Sequence, residues 1–210
     1  MIGSTNSKWI WMGLVLALTF FAPAVKALSL GPISDFDDGT LQGWVTPSDN
    51  TSNVGGYLEV SQGNGFHLSV FNATVNGVID PAVTAIEVDL LRPAGSTDLE
   101  IRLVLIGPSQ SERWTSTASA SVMGDGNWTR HRFSILEADL TQVGGTGSFA
   151  DLTADLGRLM FRYDPGTPSG GGTPGPTGTF GIDNVVAVPE PSTALLLLAG
   201  LGSLAVRRTR

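Results

Sequence analysis

Between Leu28 and Val188 the chain alternates apolar and polar residues in short runs, and each run stops at Gly, Pro, Asn or Asp. A period of two places every second side chain on one face of an extended strand, so the pattern predicts half-buried β-strands and leaves no room for a long helix. Ile86, Val88 and Leu90 share one face and Glu87 and Asp89 the other; Leu99, Ile101, Leu103 and Leu105 repeat the arrangement against Glu100 and Arg102. Further strands are expected at Tyr57–Val60, Phe66–Val75, Trp114–Val122, Asn127–Ile135, Arg158–Tyr163 and Thr179–Ala187, with one helical turn at Leu136–Leu140 before a Gly-rich loop at Gly144–Gly147. About eight strands without a long helix imply an all-β, antiparallel sandwich. Asp164–Gly178, dense in Gly, Pro, Ser and Thr, reads as a flexible loop within that domain and not as a linker, because a lone strand beyond it would not be stable.

Charge narrows the partners. Residues 28–188 hold 18 Asp and Glu against 7 Arg and no Lys, a net charge of −11. Nucleic acid needs clustered Lys and Arg and is therefore excluded as a ligand, whereas a cation or a neutral glycan fits. The chain has no cysteine, so disulfides, thiolate zinc sites and cysteine nucleophiles are all excluded and the fold must rest on core packing.

The two ends read as targeting segments. Lys8, the apolar run Trp9–Ala22, the helix-breaking Pro23 and the small-residue site Val25-Lys26-Ala27 form a secretory signal peptide over residues 1–27, with cleavage by signal peptidase expected after Ala27. An uncleaved N-terminal anchor is the alternative. At the other end come Pro189-Glu190-Pro191, an apolar run at 194–206, and Arg207, Arg208 and Arg210. As a helix that run is about 20 Å long, shorter than the hydrocarbon layer, and the Arg cluster holds its end in the cytoplasm, with the preceding domain outside the inner membrane.

This tail, residues 189–210, resembles the PEP-CTERM sorting signal in all three of its parts: the Pro-Glu-Pro triplet, the short apolar helix and the basic end. The resemblance implies a Gram-negative source that makes exopolysaccharide, processing near Pro189, Glu190 and Pro191 by an exosortase, and delivery to the cell surface or extracellular matrix after a transient stay in the inner membrane. An ordinary tail anchor is the alternative.

Two shorter motifs bracket the domain of residues 28–188: Asp35-Phe36-Asp37-Asp38-Gly39-Thr40-Leu41-Gln42-Gly43-Trp44 and Phe180-Gly181-Ile182-Asp183-Asn184-Val185. They resemble the first and last strands of jelly rolls of the galactose-binding-like, carbohydrate-binding-module and laminin-B-type groups. The resemblance implies that the terminal strands pair and that a structural Ca²⁺ sits where they meet, with Asp37 and Asp183 as side-chain ligands beside carbonyls of the turn around Gly39–Leu41. Read without it, Asp37-Asp38-Gly39 is a solvated turn.

Among the aromatic residues, Trp44 and Trp128 stand at strand starts and are expected to pack, whereas Tyr57 and Trp114 neighbour polar or Gly residues near loops and are the candidates for stacking on sugar rings. His67 and His131 lie in strand patterns with no partner in view, and HExxH, G-x-S-x-G and phosphate-loop motifs are lacking. Glycoside hydrolysis would require two of Glu59, Glu87, Glu100 and Glu112 to fold to within roughly 5–9 Å of each other. The expected function is thus a non-catalytic surface or matrix protein that binds or organises polysaccharide, set against a purely structural envelope protein and a glycan-active enzyme.

Overall fold

A computed structural model describes residues 28–46, 50–62 and 68–189. The leader with its expected cleavage site after Ala27, His67, Glu190, Pro191 and the apolar stretch 194–206 lie outside the described residues.

The described chain forms two antiparallel sheets. In chain order the strands are β1 (Gly31–Ser34), β2 (Trp44–Val45), β3 (Thr51–Asn53), β4 (Leu58–Gln62), β5 (Ser69–Asn72), β6 (Ala85–Leu91), β7 (Leu99–Ile106), β8 (Arg113–Ser116), β9 (Ala120–Val122), β10 (Trp128–Ser134), β11 (Leu140–Gly144), β12 (Arg158–Tyr163) and β13 (Gly178–Val188). The six-stranded sheet runs β10-β6-β13-β4-β3, with β1 also on β13; the seven-stranded sheet runs β11-β8-β7-β12-β5-β2, with β9 also on β7. The first and last strands pair as expected, Gly31 opposite Ala187.

Alternation along each strand builds the core between the sheets. Leu58, Val60, Ile86, Val88, Leu90, Phe180 and Ile182 face inward from one sheet, and Leu99, Ile101, Leu103, Leu105, Leu159 and Phe161 from the other. Trp44 is fully buried, stacks on Phe161 at 5.6 Å and donates its indole N–H to Ser34 Oγ at 2.8 Å. Each large apolar side chain buried in this way contributes about 1.5–3 kcal/mol.

One local expectation is corrected and two gain detail. The run Trp114–Val122 is two strands, β8 and β9, because the chain turns at Thr117–Ser119. The helical turn at Leu136–Leu140 is a 3-10 turn at Glu137–Asp139, but an unforeseen helix, α1 (Phe149–Ala154), follows the Gly-rich loop and is capped reciprocally by Ser148 and Asp151. The segment Asp164–Thr177 joins β12 to β13 as expected, yet it is tied down by the buried Arg92, Arg102 and Arg162 and the half-buried Arg113.

Candidate functional site

The outer face of the six-stranded sheet carries the exposed aromatic surface. Phe133 points into the core, so period two sends Trp128, Arg130 and Arg132 outward along β10; Leu58 and Val60 are inward, so Tyr57 is outward. Trp128, Leu91, Gly181 and Glu59 stand in one cross-strand row. A Cβ on Gly181 would lie 2.9 Å from Trp128 Cη2 and 3.3 Å from Tyr57 Cδ2, so the missing side chain is what lets both rings lie over β13. The two rings meet edge to face, with centroids 5.3 Å apart at 78°, and Trp128 remains 42% exposed. The next row is polar: Arg130 pairs with Asp89 at 3.2 Å and with Glu87 at 3.3 Å, Asp183 stands opposite Asp89, and Asn184 donates to Asp89 Oδ2 at 2.9 Å. A half-exposed aromatic pair bordered by carboxylates, an amide and a guanidinium offers stacking and hydrogen bonding to a sugar on one surface.

Tyr57 therefore stands on the outer face beside Trp128, and Trp114 is not near it. Trp114 is 8% exposed, sits edge-on to Phe149 in the core and donates its indole N–H to Glu112 Oε1 at 3.3 Å. A ring in that position packs α1 against the sheet and offers no face to a ligand.

The expected cation ligands Asp37 and Asp183 share an acidic corner with Asp35 and Asp89. Asp183 is half-buried; burial pushes its carboxyl above the ordinary value, an effect opposed by the Asn184 N–H and reinforced by the negative charges of Asp89, Asp37 and Asp35. The turn carbonyls are already engaged: Asn53 Nδ2 donates to Phe36 O at 2.7 Å and to Thr40 O at 3.0 Å. Asp38 turns back to accept from the Thr40 backbone N–H and hydroxyl, both at 2.8 Å. Among the described residues no three Asp, Glu or His side chains converge at metal-ligand spacing. Ca²⁺ takes about 6–8 oxygens, and the side-chain amide of Asn53 cross-links the turn that was expected to supply its carbonyl ligands.

On the opposite, seven-stranded sheet the outer face is covered by the segment Asp164–Thr177. Arg102 donates to the carbonyls of Asp164 (2.9 Å), Ser116 (2.8 Å), Thr117 and Gly166, while Arg162 donates to Asp164 Oδ2 (3.0 Å) and to the carbonyls of Gly170 and Ser169. Arg113 reaches Gly170 O at 2.7 Å, and Arg92 holds the far end through Thr179 O at 2.6 Å and Thr177 O at 3.3 Å.

Comparison with known proteins identifies the tail. A profile described as the PEP-CTERM protein-sorting motif matches residues 187–210. The chain ends in a PEP-CTERM sorting motif. The motif marks the chain for export and membrane-anchored sorting to the cell surface. It begins inside β13, and Pro189 O accepts from Arg132 Nη2 at 3.0 Å, so the tail leaves the sandwich beside β10, on the sheet that carries Tyr57 and Trp128. No curated protein matches the chain in sequence. Among solved structures, a family 11 carbohydrate-binding module from Clostridium thermocellum, in complex with a beta-1,3-1,4-mixed-linked tetrasaccharide, is similar at 14% identity and TM-score 0.50, covering 77% of this chain and 97% of that one. An agarase, AgWH50C, is similar at 9% identity and TM-score 0.53, covering 77% of this chain and 25% of the agarase. These likenesses show the fold alone: the body is an antiparallel two-sheet jelly roll.

Proposed function

We propose that the chain is a non-catalytic surface or matrix protein of a Gram-negative bacterium, that an exosortase processes it near Pro189, Glu190 and Pro191, and that its jelly roll binds extracellular polysaccharide through Trp128 and Tyr57. The observation that carries the reading is the indole of Trp128, seated over Gly181 and still 42% exposed, beside polar groups spaced for sugar hydroxyls.

The carboxylates support binding over hydrolysis. Glu59 and Glu87 are separated by two strand spacings and four residues along β6, roughly 16 Å, too far apart for a hydrolytic pair. Glu100 lies on the other sheet, and Glu112 is held below its ordinary value, first of all by the Gly147 N–H. Asp183 and Asp89 are close, but they stand on the open face of a sheet, with Asp89 engaged by Arg130.

The test is co-sedimentation of the full chain, in mild detergent, with neutral polysaccharides. Trp128→Ala and Tyr57→Ala should each weaken binding by about tenfold, equivalent to roughly 1.4 kcal/mol, at unchanged melting temperature. Failure of the wild-type chain to sediment with any glycan would leave the structural-protein reading in its place.

A further inference from the structure

We propose that a cavity on the outer face of the seven-stranded sheet, bordered by β5, β7, β8 and β12, takes the anionic group of an acidic sugar unit, a carboxylate or a sulfate ester, between Arg113, Arg158 and Arg162. The cavity measures about 380 Å³; Phe71, Ile106 and Met160 also line it. It lies on the sheet opposite the Tyr57–Trp128 pair, and it rests on the proposed function only for the class of polymer.

Charge placement is the first argument. Residues 28–188 have a net charge of −11, yet four of their seven arginines, Arg102, Arg113, Arg158 and Arg162, stand on this one face. Their carboxylate neighbours are few. Asp164 serves both Arg102 and Arg162, whereas Arg113 and Arg158 have no carboxylate partner among the described residues. A local excess of positive charge against an acidic background is an address for an anion.

Unsatisfied donors are the second argument. Arg162 is 3% exposed and its Nε–H has no acceptor among the described residues, a costly state for a buried donor. Burial pushes its guanidinium below the usual range, which the negative charge of Asp164 opposes. Arg158 donates no hydrogen bond among the described residues; its guanidinium lies over the Phe71 ring, 4.4 Å from the centroid, with its N–H fork unengaged by them. Such a fork matches two oxygens of one carboxylate or sulfate.

The apolar lining decides what the anion is attached to. Phe71, Ile106 and Met160 suit the C–H face of a sugar ring and would gain nothing from a bare inorganic ion. A densely charged nucleic acid would meet repulsion from the acidic remainder of the domain.

Affinity electrophoresis of the full chain in mild detergent tests the proposal, in gels containing a polyuronate, a sulfated galactan, a neutral β-glucan or single-stranded DNA, at about 0.1 M salt, where distant charges are screened. At least one acidic glycan should retard the protein about tenfold more strongly than the neutral one, and the acidic gel that does so tells carboxylate from sulfate. Arg158→Gln, which breaks no hydrogen bond among the described residues, should reduce that retardation about fivefold, and Arg113→Gln with Arg158→Gln more than tenfold; melting temperatures verify that both variants are folded. Trp128→Ala should leave acidic binding intact, so failure of the aromatic reading and failure of this one are separable. Equal mobility in acidic and neutral gels, indifference of acidic binding to Arg158→Gln, or equal retardation by DNA would overturn the proposal.

Discussion

Arg102→Met should loosen the segment over the seven-stranded sheet while leaving the sandwich folded. Arg102 is 3% exposed and donates to four carbonyl oxygens, those of Asp164, Ser116, Thr117 and Gly166, with the Asp164 carboxylate 3.9 Å away. Methionine keeps the unbranched stem and removes every donor. Removing one partner of a buried ion pair costs about 3–5 kcal/mol because the other charge is left uncompensated. Here Asp164 retains Arg162 at 3.0 Å and the Ser169 hydroxyl at 2.7 Å, so the lower end applies, about 3 kcal/mol. For a domain of this size that corresponds to a fall in melting temperature of roughly 6–12 °C. The loss should concentrate in the β12–β13 connection, which limited proteolysis of the folded variant reads as new cleavage within 165–177. A fall of less than about 2 °C, with that connection as resistant as in the wild type, would refute the assignment of Arg102 as its main fastener.

Two further outcomes concern the acidic corner. The folded carboxyl of Asp183 is raised above its ordinary value of 3.8, so the stability it confers is complete below that pH and is lost as pH rises through the raised value. Asp183→Asn, which keeps an oxygen for the Asn184 N–H, should therefore raise the melting temperature at neutral pH and flatten its fall as pH rises above the ordinary value; a lower melting temperature would instead reveal a bound cation. Chelator should leave the wild-type melt unchanged, while Asn53→Ala should cost about 2 kcal/mol by freeing the carbonyls of Phe36 and Thr40; a melt that drops in chelator would restore Ca²⁺ to the turn.

Much of the sandwich was legible because period two is a local property. Strands β6, β7, β10, β12 and β13 fall where the alternation puts them, and the terminal strands pair as the jelly-roll resemblance implies. Alternation also contained the answer on Trp128: once Phe133 is set inward, residue 128 must point outward with Arg130 and Arg132. Position at a strand start concealed this. Trp114 was misplaced by the same neighbour-based reasoning, since register with Leu105 on β7 sends it to the core. The helix α1 was signalled by Ser148 and Asp151 in capping-box spacing, although six residues carry little periodicity. What sequence does not encode locally is the meeting of distant groups. Arg92 and Thr179, Arg102 and Gly166, and Asn53 and Phe36 are joined only after both sheets close, so composition rightly marked Asp164–Gly178 as a loop but not as a fastened one.

The most direct measurement of the central claim is the tryptophan emission of the full chain, titrated with neutral oligosaccharides and compared with Trp128→Phe. Trp44 and Trp114 are buried, and Trp128 is the exposed indole among the described residues. The account predicts a saturable blue shift in the wild type that disappears in Trp128→Phe and needs higher sugar concentrations in Tyr57→Ala. Saturable sugar binding measured calorimetrically with the emission unmoved, or the same shift in Trp128→Phe, would contradict it.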